Sequence, residues 1–251
     1  MNMRLVSIIM PCYNASLYIK DAIESVVAQT YTCWELIVVD DCSTDNSIEI
    51  VEACAKLDDR IKLVKLSNNG GVANARNVGL NIAGGQYVAF LDSDDKWRFD
   101  KLQMQIDFMS ANSCCFCYSQ YQNFNTGTGE LGKTIKVPAR MTAKKLLGNT
   151  AIGCLTVVID RAITGDFKMP LLKHAEDSVT WYEILSRGFC AYGIQDTLAY
   201  YRVGNSSLTS NKLTVIKRQW NVYRNHFHFS FIKSAVLFLR YAVNAVIKHL
   251  F

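Results

Sequence analysis

The stretch "GQYVAFLDSDDKW", residues 85–97, joins a short apolar run to a cluster of acidic side chains. Its first part, 86–91, has the length and apolar character of a buried strand. Asp92, Asp94 and Asp95 follow within four positions, and carboxylates this close raise the free energy of keeping all of them ionised. The pattern indicates either a solvated acidic turn or a site where a bound cation offsets the repulsion.

The alternation of strand and helix extends back to residue 5. The sequence predicts strands at 5–10, 34–39, 61–66 and 86–91, and helices at about 17–29, 45–57 and 72–83. Ser43 and Thr44 are the expected cap residues of the second helix. We therefore predict an α/β fold in which a Rossmann-like, mostly parallel sheet has helices on both faces.

Polar segments follow all four predicted strands. They are "PCYNAS" from residue 11, "DDCSTDNS" from 40, "SNNGGVANARNVG" from 67 and "DSDDKW" from 92. In a parallel sheet these segments meet beyond the carboxyl ends of the strands, where ligands bind. The sequence therefore predicts a ligand site at this edge of the sheet.

This edge carries the groups that a nucleotide diphosphate needs. Asp92 and Asp94 offer hard oxygen ligands to Mg²⁺ or Mn²⁺ and leave coordination positions for phosphate oxygens. Asp40 and Asp41 can accept hydrogen bonds from a base or ribose, with helix capping as the alternative. Arg76 can contact phosphate, although alone it is typical of a helix surface. The glycines match neither a Walker loop nor the dinucleotide fingerprint.

Beyond residue 97 the pattern is less regular. We predict helices near 99–109, 143–147 and 177–187, and strands near 114–121 and 155–159. No Pro-rich or Ser-rich linker separates these elements from the first half, which predicts one continuous domain. The nine cysteines are odd in number and follow no signal peptide, so free cytosolic thiols are expected. In "CCFC", 114–117, a buried strand is favoured over a metal site.

Taken in order, these motifs are similar to those of one family. "VSIIMPCYNASLYIKDAIESVVAQTYTCWELIVVDDCSTDNS", "NNGGVANARNVGL" and "GQYVAFLDSDDKW" resemble the inverting glycosyltransferases of family 2, which have the GT-A fold. The resemblance is close over residues 5–110 and looser to 210. It implies a GT-A domain at 1–210, with a nucleotide-sugar-binding half at 1–97 and an acceptor-binding half at 98–210. Basic amphipathic helices would follow at 211–251.

The resemblance also implies roles for individual residues. Asp92 and Asp94 would hold Mn²⁺ or Mg²⁺ on the diphosphate, with Asp95 as a further candidate. In "KHAEDSVTWYEIL", 173–185, Asp177 would be the general base and Glu176 would position the acceptor or support Asp177. Helix capping is the alternative for Asp177. Nucleotide-sugar contacts are implied for Pro11, Tyr13, Asn14, Asp40, Asp41, Arg76, Asp92, Ser93 and Arg202. Acceptor contacts are implied for Trp97 and His174.

The segment "YYRVGNSSLTSNK", 200–212, resembles the part of the family that closes over the pyrophosphate. Arg202, Ser206 and Ser207 would do so here, although many relatives carry a His where this chain has Gly204. The sequence "KRQW", 217–220, is not the Gln-x-x-Arg-Trp motif of polymerising synthases. The addition of a single sugar is therefore favoured.

The C-terminal stretch is basic and apolar. From residue 212 to the end there are seven Lys or Arg and no Asp or Glu, in a chain of net charge +5. Lys233, Arg240, Asn244 and Lys248 fall on one side of a predicted helix, opposite Phe, Leu, Val and Ile. This pattern predicts an amphipathic helix in the headgroup plane of a membrane. Packing on the domain or on a second copy is the alternative.

The resemblance and the basic tail together imply a metal-dependent enzyme. It would move one hexose, glucose or galactose, from a UDP-sugar in β-linkage to a lipid-diphosphate-linked GlcNAc, in O-antigen or other bacterial surface polysaccharide synthesis. Its partners would be the UDP-sugar, a polyprenyl-diphosphate-linked acceptor and the inner face of the cytoplasmic membrane, where it would be peripheral. A homo-oligomer is left open, and no nucleic acid is expected.

Two alternatives are kept at this point. The first alternative to a glycosyltransferase is a non-catalytic nucleotide-sugar-binding or scaffold subunit of a polysaccharide assembly complex. The second is a nucleotidyltransferase of related fold. A nucleotidyltransferase would carry a Gly-rich loop with a basic residue after the first strand, and "PCYNAS" has neither.

Overall fold

The computed structural model describes residues 3–125, 127–149, 151–203 and 218–250. The strands are β1 (Val6–Cys12), β2 (Trp34–Asp40), β3 (Ile61–Lys65), β4 (Tyr87–Phe90), β5 (Lys96–Trp97), β6 (Phe116–Asn125), β7 (Leu131–Ile135), β8 (Arg140–Met141), β9 (Val158–Asp160) and β10 (Ala191–Val203). The helices are α1 (Ile19–Val27), α2 (Ser47–Ala55), α3 (Val72–Ile82), α4 (Lys101–Ala111), α5 (Ala143–Leu146), α6 (Arg161–Thr164), α7 (Glu176–Ser186) and α8 (Phe231–Leu250). A π-helical turn, Val222–His226, precedes α8.

One mixed sheet runs through the described chain in the order β3-β2-β1-β4-β9-β6-β10-β5. The pairings β3–β2, β2–β1, β1–β4 and β6–β10 are parallel, whereas β9 is antiparallel to both of its neighbours. The strands of the first half therefore end at the same edge as β6 and β10. This arrangement confirms the predicted α/β class with a mostly parallel sheet.

Both faces of the sheet are covered by helices. Successive side chains of a strand point to opposite sides, so each buried strand contributes to the core on both faces. In β1, Ile8 packs in the core on the α1 side, while Ile9 packs on the α3 side. All seven residues of β1 and of β2 are buried. This explains why these strands read as continuous apolar runs in the sequence, and why their boundaries were predicted to within two residues.

Several elements differ from the sequence predictions. Strand β10, thirteen residues long, was missed and pairs with β6 along its length with two register shifts. Strand β7 was not predicted. The expected caps of α2, Ser43 and Thr44, are wrong, because that helix begins at Ser47 and Asp45 Oδ1 accepts the Ser47 N–H at 3.0 Å. The predicted helix ending at Gly188 is present as α7, with Gly188 at a φ of +99°.

The predicted division at residue 97 does not separate two sheets. Strands β6, β9 and β10 continue the sheet that β1–β4 begin. The cysteines at 114, 115 and 117 are free and buried around the start of β6. Within the described ranges, none of the helices combines the length and the apolar character that crossing a membrane requires. The division into a nucleotide-sugar half and an acceptor half stays a prediction.

Gly79 of α3 tests the packing of this helix on the sheet. Replacement by Ala would place a methyl carbon 2.6 Å from Cγ2 of Ile9 and 3.4 Å from Cγ2 of Val39. Because both neighbours are in the core, we expect overpacking of about 1–3 kcal/mol, which outweighs the helix propensity of about 1 kcal/mol that Ala gains over Gly. Urea unfolding should show a lower free energy of unfolding for Gly79→Ala.

The matched control is Gly84→Ala, whose added carbon would lie 3.5 Å from its nearest neighbour. Its free energy of unfolding should stay within about 0.5 kcal/mol of the original chain. A Gly79→Ala protein as stable as this control would contradict the packing described for α3.

Candidate functional site

Four segments form the carboxyl edge of the sheet: 11–16 at the end of β1, 40–46 at the end of β2, 67–71 after β3 and 92–95 after β4. Asn14 joins the first two. Its backbone N–H donates to Ser43 Oγ at 2.9 Å, and its side-chain oxygen accepts the Thr44 N–H at 2.8 Å. Asn14 has a φ of +49°, a left-handed conformation that asparagine tolerates. The neighbouring Tyr13 ring is 54% exposed, whereas Pro11 is buried in β1.

The carboxylate of Asp41 organises the loop that leads into α3. Its Oδ1 accepts the Gly70 N–H at 2.8 Å, and its Oδ2 accepts the Gly71 N–H at 2.7 Å. Gly71 precedes α3 with a φ of +81°, a conformation that favours glycine. Asp41 therefore has a structural role that was not predicted from the sequence. Its contact with a nucleotide stays a prediction.

Asp40 differs from Asp41 because one of its oxygens is left over. Its Oδ2 accepts the Ser43 N–H at 3.0 Å. Its Oδ1 is buried and has no hydrogen-bond partner among the residues that the structure describes. A buried acceptor without a partner is costly, so this oxygen is a candidate for a ligand N–H or O–H donor.

Arg76 lies beneath the acidic cluster rather than on a helix surface. Its side chain is 4% exposed, its Nη2 donates to Asp92 Oδ1 at 2.6 Å, and its Nη1 donates to Glu176 Oε1 at 2.7 Å. Burial would lower the pKa of Arg76, but the nearby carboxylates, Asp92 foremost, hold that pKa well above its usual range. Arg76 thus joins the segment after β4 to the first turn of α7. The predicted contact of Arg76 with a base or phosphate stays a prediction.

The carboxylates after β4 have unequal surroundings. Asp92 is partly exposed, Ser93 is half-buried and Asp94 is exposed. Although Asp94 is exposed, partial loss of solvent around its carboxylate, and then the charge of Asp92, raise its pKa above its usual value. A divalent cation would offset the part of this shift that comes from the charge of Asp92.

Asp92 and Asp94 fit a divalent cation that is completed by a ligand. Two carboxylates with open positions are the donor set that Mg²⁺ uses together with substrate phosphates. In the described part of the chain, no group of three or more His, Cys, Asp or Glu side chains is arranged to hold a metal ion on its own. The oxygens of a diphosphate would therefore have to supply part of the coordination.

Asp95 belongs to the scaffold of the edge. It is buried, and its Oδ1 accepts the Arg202 N–H at 2.8 Å, while Arg202 Nε donates to the Asp94 carbonyl oxygen at 2.5 Å. Burial and the charges of Asp94 and Asp92 raise the pKa of Asp95 well above its usual range. The guanidinium of Arg202 lies over the Tyr18 ring at 4.3 Å and the Phe124 ring at 4.5 Å.

These contacts attach the end of β10 to the segment after β4. The resemblance gave Arg202 a nucleotide-sugar contact and a closing role, but it did not identify the aromatic rings around this side chain. Gly204, Ser206 and Ser207, which were expected to complete that closing segment, lie outside the described residues.

Asp177 lies in the first turn of α7, not at its cap. The residue before α7 is Ala175, in a left-handed conformation with a φ of +64° and no capping side chain. Asp177 is therefore not the cap residue, although its Oδ1 accepts the Ser178 N–H of the first turn at 2.6 Å. Burial, and then the charge of Glu176, raise the pKa of Asp177 to about 6. Arg76 and Asp92 are close enough to influence the same carboxylate. Asp177 is thus a carboxylate whose pKa suits a base near neutral pH.

The two acceptor-side candidates occupy different environments. His174 is half-buried, and its pKa is lowered by burial and by the positive charges of Arg218 and Lys173. Trp97 is in the core, where its Nε1 donates to the Leu155 carbonyl oxygen at 2.8 Å. Contact between Trp97 and an acceptor stays a prediction, and the described position of its ring gives it a packing role.

The two ion pairs of Arg76 lead to a stability prediction. Arg76→Met would leave two carboxylates without their cation, and breaking a buried pair in this way costs about 3–5 kcal/mol. Urea unfolding should show a loss of that size. As a control, Lys65→Met removes an exposed ion pair with Glu52, of 2.6 Å, and should cost less than about 1 kcal/mol. Equal losses in the two variants would contradict the assignment of Arg76 as a buried bridge.

Comparisons with known proteins agree with this geometry. A profile of the family described as "Glycosyl transferase family 2" matches residues 7–167. Over 246 residues the chain is 47% identical to TuaG of Bacillus subtilis (strain 168), whose name assigns it provisionally to teichuronic acid biosynthesis as a glycosyltransferase, and the match covers 98% of each chain. It is 41% identical over 253 residues to an Escherichia coli protein named "UDP-Glc:alpha-D-GlcNAc-diphosphoundecaprenol beta-1,3-glucosyltransferase WfgD", covering 98% of this chain and 96% of that one.

A solved structure shows the same architecture. The mannosyltransferase PcManGT from Pyrobaculum calidifontis, in complex with GDP-Man and Mn²⁺, matches with a TM-score of 0.71 at 20% identity, over 98% of this chain and 70% of that one. At this identity the likeness concerns the fold alone. The predicted GT-A fold is confirmed.

Proposed function

The chain belongs to glycosyl transferase family 2, and on that premise we propose that it moves one hexose from a UDP-sugar, in β-linkage, to GlcNAc on a polyprenyl diphosphate. UDP-glucose is the first donor to test and UDP-galactose the second, because the E. coli relative WfgD is named for transfer from UDP-Glc to such an acceptor. The observation that carries the proposal is Asp177, a carboxylate with a pKa raised to about 6 at the acidic edge.

The nucleotide would bind at the segments after β1 and β2. The unpartnered Oδ1 of Asp40 can accept the ring N–H of uracil, which would relieve the cost of burying that oxygen. The exposed ring of Tyr13 can stack on the base. Asp41 and Asn14 would act by holding the loops around the nucleotide, since their polar atoms already bond the backbone of residues 44, 70 and 71.

Asp92 and Asp94 would hold a divalent cation, Mn²⁺ or Mg²⁺, against the diphosphate. When bound, this cation neutralises negative charge on the departing UDP. Support comes from the charge of Asp92, which adds to the loss of solvent in raising the pKa of Asp94, and from the Mn²⁺ in the structurally similar mannosyltransferase. Arg76 fixes the orientation of Asp92 through their 2.6 Å ion pair.

Asp177 would accept the proton of the acceptor hydroxyl. As that oxygen attacks the anomeric carbon, the bond from carbon to the UDP oxygen breaks on the opposite side, so an α-linked donor gives a β-linked product. Glu176 is bonded to Arg76 at 2.7 Å, which favours a positioning role for Glu176 and leaves the proton transfer to Asp177. The carboxylate must be ionised to act in this way.

The acceptor side suits a lipid diphosphate. Lys173 and Arg218 are close enough to His174 for their charges to lower its pKa, so positive potential is present next to the start of α7. Positive charge at this place can bind phosphate oxygens. An acceptor with a polyprenyl chain lies in a membrane, so the enzyme would work as a peripheral protein at the inner face of the cytoplasmic membrane. The place of this reaction in O-antigen or related synthesis is part of the same proposal.

Transfer assays with a panel of radiolabelled UDP-sugars and a synthetic GlcNAc-diphosphate-lipid test this function. We expect transfer from one donor, dependent on Mn²⁺ or Mg²⁺ and lost with EDTA. In Asp177→Asn, transfer should fall by about 10²–10⁴-fold while UDP binding is retained, because only the proton acceptor is removed. Asp166→Asn, at a 93% exposed carboxylate, is the control and should keep full activity.

Either of two results would overturn part of the proposal. Full activity of Asp177→Asn would contradict the assignment of the base. Binding of UDP without transfer from any donor, to the synthetic acceptor or to extracted cellular lipids, would favour the alternative of a non-catalytic nucleotide-sugar-binding or scaffold subunit.

The pKa of Asp177 sets the expected pH dependence. Its raised value of about 6 means that the base is protonated, and inactive, at lower pH. The rate should therefore rise about tenfold per pH unit up to pH 6 and then level off. Because the charge of Arg76 lowers the pKa of Asp177, Arg76→Met should move this limb to higher pH. A profile that is flat from pH 5 to 7 would contradict the assignment.

A further inference from the structure

Helix α8 exposes a continuous apolar stripe. Ile232, Val236, Leu239 and Val243 are 77, 48, 66 and 58% exposed. At about 100° per residue they lie within roughly 60° of arc, so they form one line along the helix. We call these four residues the α8 stripe. Single exposed apolar residues are ordinary, but a contiguous exposed line of them marks an interaction surface.

The opposite face of α8 is already packed on the domain. Ser234, Leu237 and Tyr241 are buried, and Leu237 belongs to a small core with Leu147 and Tyr223. Asn244 Nδ2 donates to the Gly148 carbonyl oxygen at 2.6 Å, which fixes the rotation of the helix. The face of α8 that carries Leu237 and Tyr241 thus packs on the domain, as one of the two predictions for the C-terminal helix required. This packing does not account for the α8 stripe, which points away from the domain.

Positive charge accompanies the α8 stripe. Lys233 and Arg240 lie on one flank of the helix, about 80° from the centre of the stripe by the same helical rotation. Arg218 and Arg224 precede the helix, and the sequence has no Asp or Glu after residue 211. Long basic side chains beside an apolar line are typical of helices that lie in a headgroup plane.

We propose that the α8 stripe docks on an anionic phospholipid bilayer, with the stripe in the acyl boundary and the basic flank among the headgroups. A second copy of the chain fits this surface less well, because a two-fold contact would bring two sets of basic side chains together without acidic partners from the same segment. The bilayer provides an apolar layer next to a negative surface, which matches both features.

The docking surface is connected to the site through α7. Tyr182 of α7 packs on Phe227 with ring centroids 4.6 Å apart, and Glu183 lies 3.5 Å from His226 Nε2. The segment that leads into α8 therefore rests on the helix whose first turn carries Glu176 and Asp177. This inference extends the proposed function by naming the surface that faces the membrane, and its test does not require sugar transfer.

Flotation of the purified full chain with vesicles tests the proposal. Vesicles of phosphatidylcholine and phosphatidylglycerol in equal parts should carry the protein, and vesicles of phosphatidylcholine alone should carry less of it. The variant Ile232→Gln/Leu239→Gln should lose at least tenfold in partitioning, since each large apolar side chain contributes about that factor. The control Leu57→Gln, at a leucine 90% exposed after α2, should bind like the original chain.

A second variant separates the electrostatic part. Lys233→Gln/Arg240→Gln should reduce binding to the anionic vesicles, and should reduce its salt sensitivity, while binding to neutral vesicles stays the same. Circular dichroism and thermal unfolding establish that the variants are folded.

Two outcomes would overturn the proposal. The first is equal vesicle binding by the stripe variant and the Leu57→Gln control, or no binding by the original chain. The second is a dimer of the original chain, seen by sedimentation, that the stripe variant converts to a monomer, which would assign the α8 stripe to a second copy. Transfer to a short-chain acceptor in detergent should be unchanged in the stripe variant, so failure of the docking proposal and failure of the proposed function give different results.

Discussion

The two ion pairs of Arg76 are the constraint on which the site depends. This buried guanidinium bonds Asp92, after β4, and Glu176, at the start of α7, which are 84 positions apart in the chain. The segment after β4 and the first turn of α7 are thereby held to one side chain of α3. A buried charge loses its hydration, whether it is a guanidinium or a carboxylate. The ion pairs offset this cost for Arg76 and for both of its partners. Because Asp177 follows Glu176 in the first turn of α7, the same ion pair also fixes the position of Asp177.

The hydrogen bonds divide the acidic residues of the edge into two groups. Asp41 uses both of its oxygens, and Asp95 its Oδ1, on the backbone N–H groups of Gly70, Gly71 and Arg202, and so these two residues shape the loops. The ligand contacts of the proposed function fall to Asp40, Asp92, Asp94 and Asp177. The same residue type thus supplies both the frame and the chemistry, and the sequence alone does not separate the two uses. The hydrogen bonds do, because a carboxylate whose two oxygens each accept a short backbone bond, as in Asp41, contributes less to a ligand.

Local periodicity explains what the sequence predicted well. Strands β1 and β2 are buried on both faces, so their apolar runs are unmistakable, and the polar segments after them correctly indicated the edge. Strand β10 escaped detection because its partner, β6, is about 75 residues away in the chain and its pairing is broken by two bulges. Arg76 looked like a surface residue for a related reason, since its partners come from other elements. The start of α2 was predicted less well, because it is fixed by the loop at Asp45, and the spacing of apolar residues carries no information about loop geometry.

The net charge of +5 conceals two regions of opposite sign, and their separation bears on how an anionic acceptor reaches an acidic edge. Carboxylates after β2, β4 and at the start of α7 would repel a diphosphate, and a divalent cation at Asp92 and Asp94 offsets this on the donor side only. On the acceptor side, the positive charges near His174 are those of Lys173 and Arg218. Arg218 lies near the beginning of the basic C-terminal segment. Positive charge next to His174 would lower the free energy of a diphosphate that approaches the site. Further positive charge follows along α8, at Lys233 and Arg240, beside the surface that we assign to the bilayer. Under the functions proposed above, Arg218 and the basic flank of α8 would help to bring negatively charged lipid to a site that would otherwise repel it.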